Sequence, residues 1–141
     1  MWVQGHVRKR GKFWLVDFPA LDAATQGMSK AEAYDMARDL VETLADIEGF
    51  KLSISITAAK GSVFYAGADD AKSFAAFLLR RWRQTHGLTL EEAASRLGSR
   101  SLNAYSRYEK GRNEPTISMM EKLVEAISPK GALQVYFGNP A

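Results

Sequence analysis

The sequence predicts an α+β protein in two parts, an N-terminal β-β-β-α-β segment with room for one more strand and an all-helical segment after it. Three observations carry this. Short runs rich in aromatic and β-branched residues occupy residues 3–18 and 52–65. Beyond residue 71, apolar residues recur at helical spacing in separate stretches, each closed by its own start and stop signals. Charge divides at the same place: through Asp70 there are eight Lys/Arg against ten Asp/Glu (8 − 10 = −2), and from Ala71 eleven against six (11 − 6 = +5). A basic half of this kind suits a polyanionic partner, and its acidic counterpart does not.

The first strand is set by Val3, Gly5 and Val7 alternating with Gln4, His6 and Arg8. Arg10-Gly11-Lys12 supplies a turn, and Phe13 to Phe18 forms the second strand. Pro19 ends it, because proline has no N–H for the ladder. A third extended piece spans Ala23 to Gln26, closed by Gly27. Ser29 with Glu32 reads as a capping box opening a helix. Its apolar stripe is Ala33, Met36, Ala37, Leu40, Val41, Leu44 and Ile47, with Asp35, Arg38, Asp39, Glu42 and Asp46 on the solvated side and Gly49 as the stop. Leu52 to Thr57 alternates as a half-buried strand, and Ser62 to Tyr65 is a further one across Ala59-Lys60-Gly61. The small, acidic stretch Ala66-Gly67-Ala68-Asp69-Asp70 separates two domains, 1–66 and 71–141.

Four helices follow. Phe74, Phe77, Leu78 and Trp82 line the first, which ends at His86-Gly87. Thr89 and Glu92 form a second capping box, and Gly98 closes that helix. A third runs from about Leu102 to Lys110 and stops at Gly111; Pro115-Thr116 precedes a fourth with the stripe Ile117, Met120, Leu123, Val124 and Ile127. Leu133 to Phe137 is a strand-like tail that either folds onto its own domain or pairs with the same strand of a second copy.

The second and third of these helices carry the chemistry. A short capped helix, Leu88 to Gly98, leads through Ser-Arg-Ser directly into another short helix. Ala93 and Ala94 permit the close approach that a steep helix crossing needs, and Leu97 fills the space behind the turn. This is a helix-turn-helix pattern, whose second helix enters the major groove of DNA. Tyr105 and Tyr108 point to the core; Asn103, Ala104, Ser106, Arg107 and Lys110 fall on the outer face. Asparagine and arginine there can pair bidentately with adenine and guanine. Ser99, Arg100, Ser101, Lys110 and Arg112 are placed for phosphates, which position the protein without reading sequence.

The pattern Trp82-Arg83, Gly87-Leu88-Thr89, Glu91-Glu92, Ala94, Leu97-Gly98, Tyr105-Ser106-Arg107-Tyr108-Glu109, Gly111-Arg112 and Pro115 resembles the phage-repressor type of helix-turn-helix domain, over roughly Phe74 to Ile127. The resemblance implies double-stranded operator DNA as a partner, a dimer or larger homo-oligomer, and a structural pairing of Glu109 with Arg83. Leu90 stands where that family usually has a glutamine, and the turn is one residue longer.

The N-terminal part has its own likeness. Lys12 to Leu21, Thr25-Gln26-Gly27 and Ser29 to Ala33 look like the HicB antitoxin domain, over about Val3 to Ile56, although Asp22-Ala23-Ala24 replaces an expected proline-glycine-cysteine. The resemblance implies a partial ribonuclease-H-like sheet and a HicA-type toxin partner, a small basic ribonuclease neutralised by covering its active face. It further implies repression of the shared operon by the helix-turn-helix domain in the cytoplasm. A stand-alone regulator whose N-terminal domain senses a ligand or another protein is the alternative.

Other classes find little support. There is no cysteine, hence no disulfide, thiol nucleophile or thiolate metal site. No apolar run approaches the ~20 residues of a membrane span, and the first residues lack the layout of a secretory signal. A ribonuclease-H-like catalytic site would need converging carboxylates; Asp17 and Asp22 flank one turn, whereas Asp35, Asp39, Glu42 and Asp46 read as a solvated helix face. His6 and His86 have no ligand spacing. No enzyme activity, metal or cofactor is expected.

Overall fold

The structure, a computed structural model, describes residues 1–56, 61–98 and 102–140. It divides into two compact units, one of Met1–Asp69 with the C-terminal residues from Gln134, the other Asp70–Leu133.

In the first unit five strands, β1 (Trp2–Arg10), β2 (Phe13–Phe18), β3 (Ala23–Gly27), β4 (Leu52–Ile56) and β5 (Val63–Ala68), form one sheet in the order β3-β2-β1-β5-β4. Every neighbouring pair is antiparallel. The provisional extra strand is therefore real, and it is β5 that lies beside β1 while β4 takes the far edge. Pro19 does end β2; Pro19–Leu21 form a single 3-10 turn before β3.

Helix α1 (Lys30–Ala45) links the two edge strands and covers one sheet face. Ser29 accepts from the Glu32 N–H at 3.1 Å and Glu32 Oε2 accepts from the Met28 N–H at 2.6 Å. The hydroxyl half of the capping box thus stands, while the carboxylate reaches one residue further back than the pattern predicts. Ala33, Ala37, Val41 and Ala45 are buried, as is Tyr34, whose ring meets Phe64 edge-on at 5.2 Å. Val3, Val7, Val16, Phe18, Phe64, Ala66 and Leu52 complete the core, the buried members of alternating strands. Gly5 makes room at its centre, because a Cβ there would lie 2.3 Å from the Phe64 ring.

Several expectations on this unit are corrected. Met36, placed in the apolar stripe, is exposed, and Tyr34 takes the buried position instead. Helix α1 ends at Ala45 with Asp46 in a left-handed cap (φ 49°), so Ile47 lies beyond the helix and Gly49 is not its stop. Glu42, read as solvated, accepts the Leu52 N–H at 2.9 Å and pairs with Lys51 at 3.6 Å, tying α1 to β4. Of the stretch taken as an interdomain spacer, Ala66 to Ala68 are strand, with Ala66 and Gly67 buried in β5, and the two units divide after that strand, between Asp69 and Asp70. Thr57, Ala59 and Lys60, read as strand end and turn, lie outside the described residues.

The C-terminal tail follows neither expected course. Trp2 and Tyr136 exchange both backbone hydrogen bonds at 2.8 Å. The Tyr136 hydroxyl donates to Gln4 Oε1 at 3.0 Å, its ring meets Tyr65 edge-on at 5.2 Å, and Trp2 Nε1 donates to the Gly138 carbonyl at 2.8 Å. The cause is a gap in the ladder. Strand β2 pairs with β1 only from His6 onward, and backbone groups without a ladder partner must find another. Tyr136 supplies it, so the tail completes the N-terminal sheet and the helical domain ends at Leu133 rather than at the chain terminus.

The second unit holds α2 (Ala71–Thr85), α3 (Leu90–Arg96), α4 (Leu102–Glu109) and α5 (Ile117–Ile127). Their common core is Leu79, Trp82, Ala93, Ala94, Tyr105, Leu123 and Ile127, with Leu88, Leu97, Tyr108, Met120 and Leu133 against it. No helix among the described residues is long and apolar enough to cross a membrane.

Candidate nucleic-acid interface

The site is a short helix, α4, anchored through its buried face and its C-terminal turn. Helix α3 starts on a complete capping box: the Glu92 N–H donates to Thr89 Oγ1 at 3.1 Å and the Thr89 N–H to Glu92 Oε2 at 3.0 Å. Ala93 and Ala94 are buried in the core, where their small side chains let neighbouring helices come close. Arg96 donates to the Ile127 carbonyl at 2.9 Å, anchoring the end of α3 to the end of α5.

Helix α4 is terminated by geometry rather than by sequence composition alone. The Gly111 N–H donates to the Tyr108 carbonyl at 3.2 Å and the Arg112 N–H to the Arg107 carbonyl at 2.9 Å, the paired bonds of a Schellman end. Gly111 sits at φ 69°, a left-handed conformation that costs glycine nothing. Arg112 is thereby brought back over the last turn of α4, its neighbour Lys110 exposed beside it.

Inside, an ion pair fixes the orientation of α4. Arg83 of α2 donates to Glu109 through Nε at 2.6 Å and Nη2 at 3.1 Å, and through Nη1 to the Leu88 carbonyl at 2.8 Å. Tyr105 donates to Glu109 Oε1 at 2.7 Å. One arginine thus joins α2, the connection before α3, and α4. The hydrogen bonds it donates to Glu109 hold the Arg83 guanidinium even more firmly charged than usual, and burial pushes the Tyr105 phenol well above its ordinary range. The expected Glu109–Arg83 pairing is present, with both side chains largely buried.

What remains outside is a polar, cationic face. Asn103, Arg107 and Lys110 are exposed and spaced three or four apart, so they form one row along α4; Ala104 is exposed beside them. Tyr105 is buried and Tyr108 half-buried against the core, as their spacing predicts. Ser106 is a correction. Its expected place is the outer face, yet it is 8% exposed, because Tyr105 and Ser106 precede the buried Glu109 by four and three residues and so share its face of the helix. Ser106 therefore leaves the set of base-contacting candidates. Ser99, Arg100 and Ser101 lie outside the described residues. Leu90, the departure from the repressor pattern, packs against the helical core, so it serves the interior and not a phosphate.

Sequence reasoning finds the row on α4 from the tyrosine spacing. It does not find the role of Arg96, since nothing local distinguishes an arginine that caps a distant helix from one on the surface.

Elsewhere, Asp17 and Asp22 do line one shallow, open hollow of about 180 Å³, with Phe18, Pro19, Ala23 and Ala24. His6 Nδ1 lies 3.4 Å from Asp17 Oδ2. Among the described residues no three histidines, cysteines or carboxylates gather as metal ligands would.

A capped helix closed by Gly98 and a second helix with a polar, cationic outer row have the arrangement of a helix-turn-helix unit. Comparison with known families agrees: residues 79–128 match the family model described as Helix-turn-helix. The match spans the end of α2 through α5. No curated protein matches the chain.

Proposed function

We propose that this chain is a HicB-type antitoxin that represses its own operon, its helical unit binding operator DNA while its N-terminal unit neutralises a small mRNA-cleaving toxin of the HicA type. The observation that carries the DNA-binding half is the row Asn103, Arg107 and Lys110, held outward by the buried Arg83–Glu109 pair. Asn103 and Arg107 suit adenine and guanine edges; Lys110, Arg112, Ser99, Arg100 and Ser101 suit phosphates. Two copies would read half-sites about one helical turn apart, which calls for a dimer or larger assembly.

The toxin-binding half rests on the HicB likeness, ribonuclease-H-like character included, and on charge. With Glu42 engaged and Asp35 paired to Arg38 at 2.9 Å, Asp39, Asp46 and Glu48 leave an acidic surface along and beyond α1. A basic ribonuclease would be drawn to it. Both activities place the protein in the cytoplasm.

Co-expression tests the two halves separately. The gene beside this one should encode a small basic toxic protein, the full chain should restore growth to cells making that protein, and Arg107→Ala should preserve that rescue while releasing repression of the operon. No rescue by the wild type would remove the antitoxin reading and leave a stand-alone regulator.

A further inference from the structure

The acidic balance of the N-terminal unit conceals a sharp separation of charge. Between Met1 and Val16 there are four cations, Arg8, Lys9, Arg10 and Lys12, and no Asp or Glu. All four are exposed. They crowd the tip of the β1–β2 hairpin, where Arg10 pairs with Phe13 across the two-residue loop Gly11-Lys12 and Gly11 sits at φ 62°. A loop this short holds its flanking residues in fixed register. The tip also extends past its neighbour, since β5 pairs with β1 only as far as His6 opposite Val63. Among the described residues no carboxylate pairs with any of the four, although every ion pair of this unit involves carboxylates elsewhere.

Unneutralised cations on a rigid ribbon repel one another, and an anionic partner relieves that cost. Arg8 and Arg10 lie on one face of β1, about 7 Å apart by strand geometry, close to two base-pair steps of about 3.4 Å along the duplex axis. The major groove, roughly 12 Å wide, admits a two-stranded ribbon. Single-stranded RNA would ask instead for open aromatic platforms. Phe13 and Trp14 do not offer them: both are half-buried, with Lys12 over Phe13 at 5.4 Å and Lys30 over Trp14 at 5.7 Å.

We infer that the tip of the β1–β2 hairpin is a second contact for duplex DNA, gripping phosphates without reading sequence. This rests on the DNA-binding reading of α4, because it is the tether to that module that brings duplex to the hairpin at high effective concentration. The division of labour is then clear. Helix α4 supplies selectivity, the hairpin supplies salt-sensitive affinity, and the acidic surface of α1 stays available to a basic protein.

The test uses the full chain and a duplex selected from a random pool, with a scrambled duplex of equal length. Arg8→Gln with Arg10→Gln is compared with Arg38→Gln with Lys51→Gln, which removes the same charge from the acidic side; circular dichroism checks that both fold. The hairpin pair should weaken binding to both duplexes by the same factor, about tenfold at low salt. It should also make the slope of log affinity against log salt shallower by about two, near 0.9 per lost contact. The control pair should leave that slope unchanged. Equal slopes for the hairpin pair and the wild type, or an equal loss in the control pair, would overturn the inference. So would a loss confined to single-stranded RNA. If Arg107→Ala abolishes preference for the selected duplex while the hairpin pair behaves as wild type, the hairpin inference alone fails. If the wild type selects and binds no duplex, both readings fail together.

Discussion

Arg83 and Glu109 stand twenty-six positions apart and meet in two hydrogen bonds, at 2.6 and 3.1 Å, with their side chains only 12% and 4% exposed. Excellent geometry is what allows two charges to be taken out of water together. The Tyr105 hydroxyl and the Leu88 carbonyl satisfy further valences on either side. The pair sets the placement of α4 against α2, and so decides which residues of α4 can reach a groove.

Arg83→Ala should therefore cost about 3–5 kcal/mol, since it strands a buried carboxylate. Urea unfolding followed by far-ultraviolet circular dichroism measures it. Arg83→Met with Glu109→Leu should recover most of the loss. A double variant no more stable than the single one would show that the ion pair itself, not its completeness, holds the helices.

Arg107 and Ser106 are adjacent in sequence and opposite in exposure. Arg107→Ala should weaken binding to a selected duplex by about 1–3 kcal/mol and relax preference at one base position. Ser106→Ala should change affinity for DNA by less than about 0.5 kcal/mol. Fluorescence anisotropy against the selected duplex and its single-base variants compares the two.

Removing the chain after Leu133 should destabilise the sheet by roughly 1–3 kcal/mol. It exposes the Trp2 backbone groups, the Trp2 indole N–H and the Gln4 amide. Hydrogen exchange read by mass spectrometry should show faster exchange in β1 and β5, with α3 and α4 unchanged. Uniform protection across β1 in the truncated chain would mean that the tail is dispensable.

Tyr34 is buried with a hydroxyl that has no hydrogen-bond partner among the described residues, and burial pushes its phenol above the ordinary range. Tyr34→Phe removes an unsatisfied group while keeping the edge-on contact with Phe64. The variant should be as stable as the wild type or more so, by up to about 1–3 kcal/mol. Thermal unfolding decides; a fall in melting temperature would reveal a partner for the hydroxyl.

Most of the helical unit is legible in the sequence. Capping residues, glycine stops and apolar stripes are local, so Thr89 with Glu92, Gly111 and the tyrosines of α4 announce themselves within a turn or two of chain. The errors fall where neighbours distant in sequence decide the outcome. The buried stripe of α1 runs through Ala33, Tyr34, Ala37 and Val41 and leaves Met36 outside, with the Tyr34 ring against the distant Phe64. Ala66 and Gly67 look like a flexible spacer, yet β1 lies alongside and makes them strand.

Local chemistry is enough for the two-part α+β organisation, the four helices and the outward placement of Asn103, Arg107 and Lys110, because turns, caps and periodicity act between residues a few positions apart. Three-dimensional packing alone decides the strand order, the capture of Tyr136 by Trp2 and the absence, among the described residues, of any carboxylate paired with the cations of the β1–β2 hairpin. Those outcomes depend on which backbone groups lack a partner and which charges lack a counter-ion once the chain is folded. Neither is a property of any short stretch of sequence.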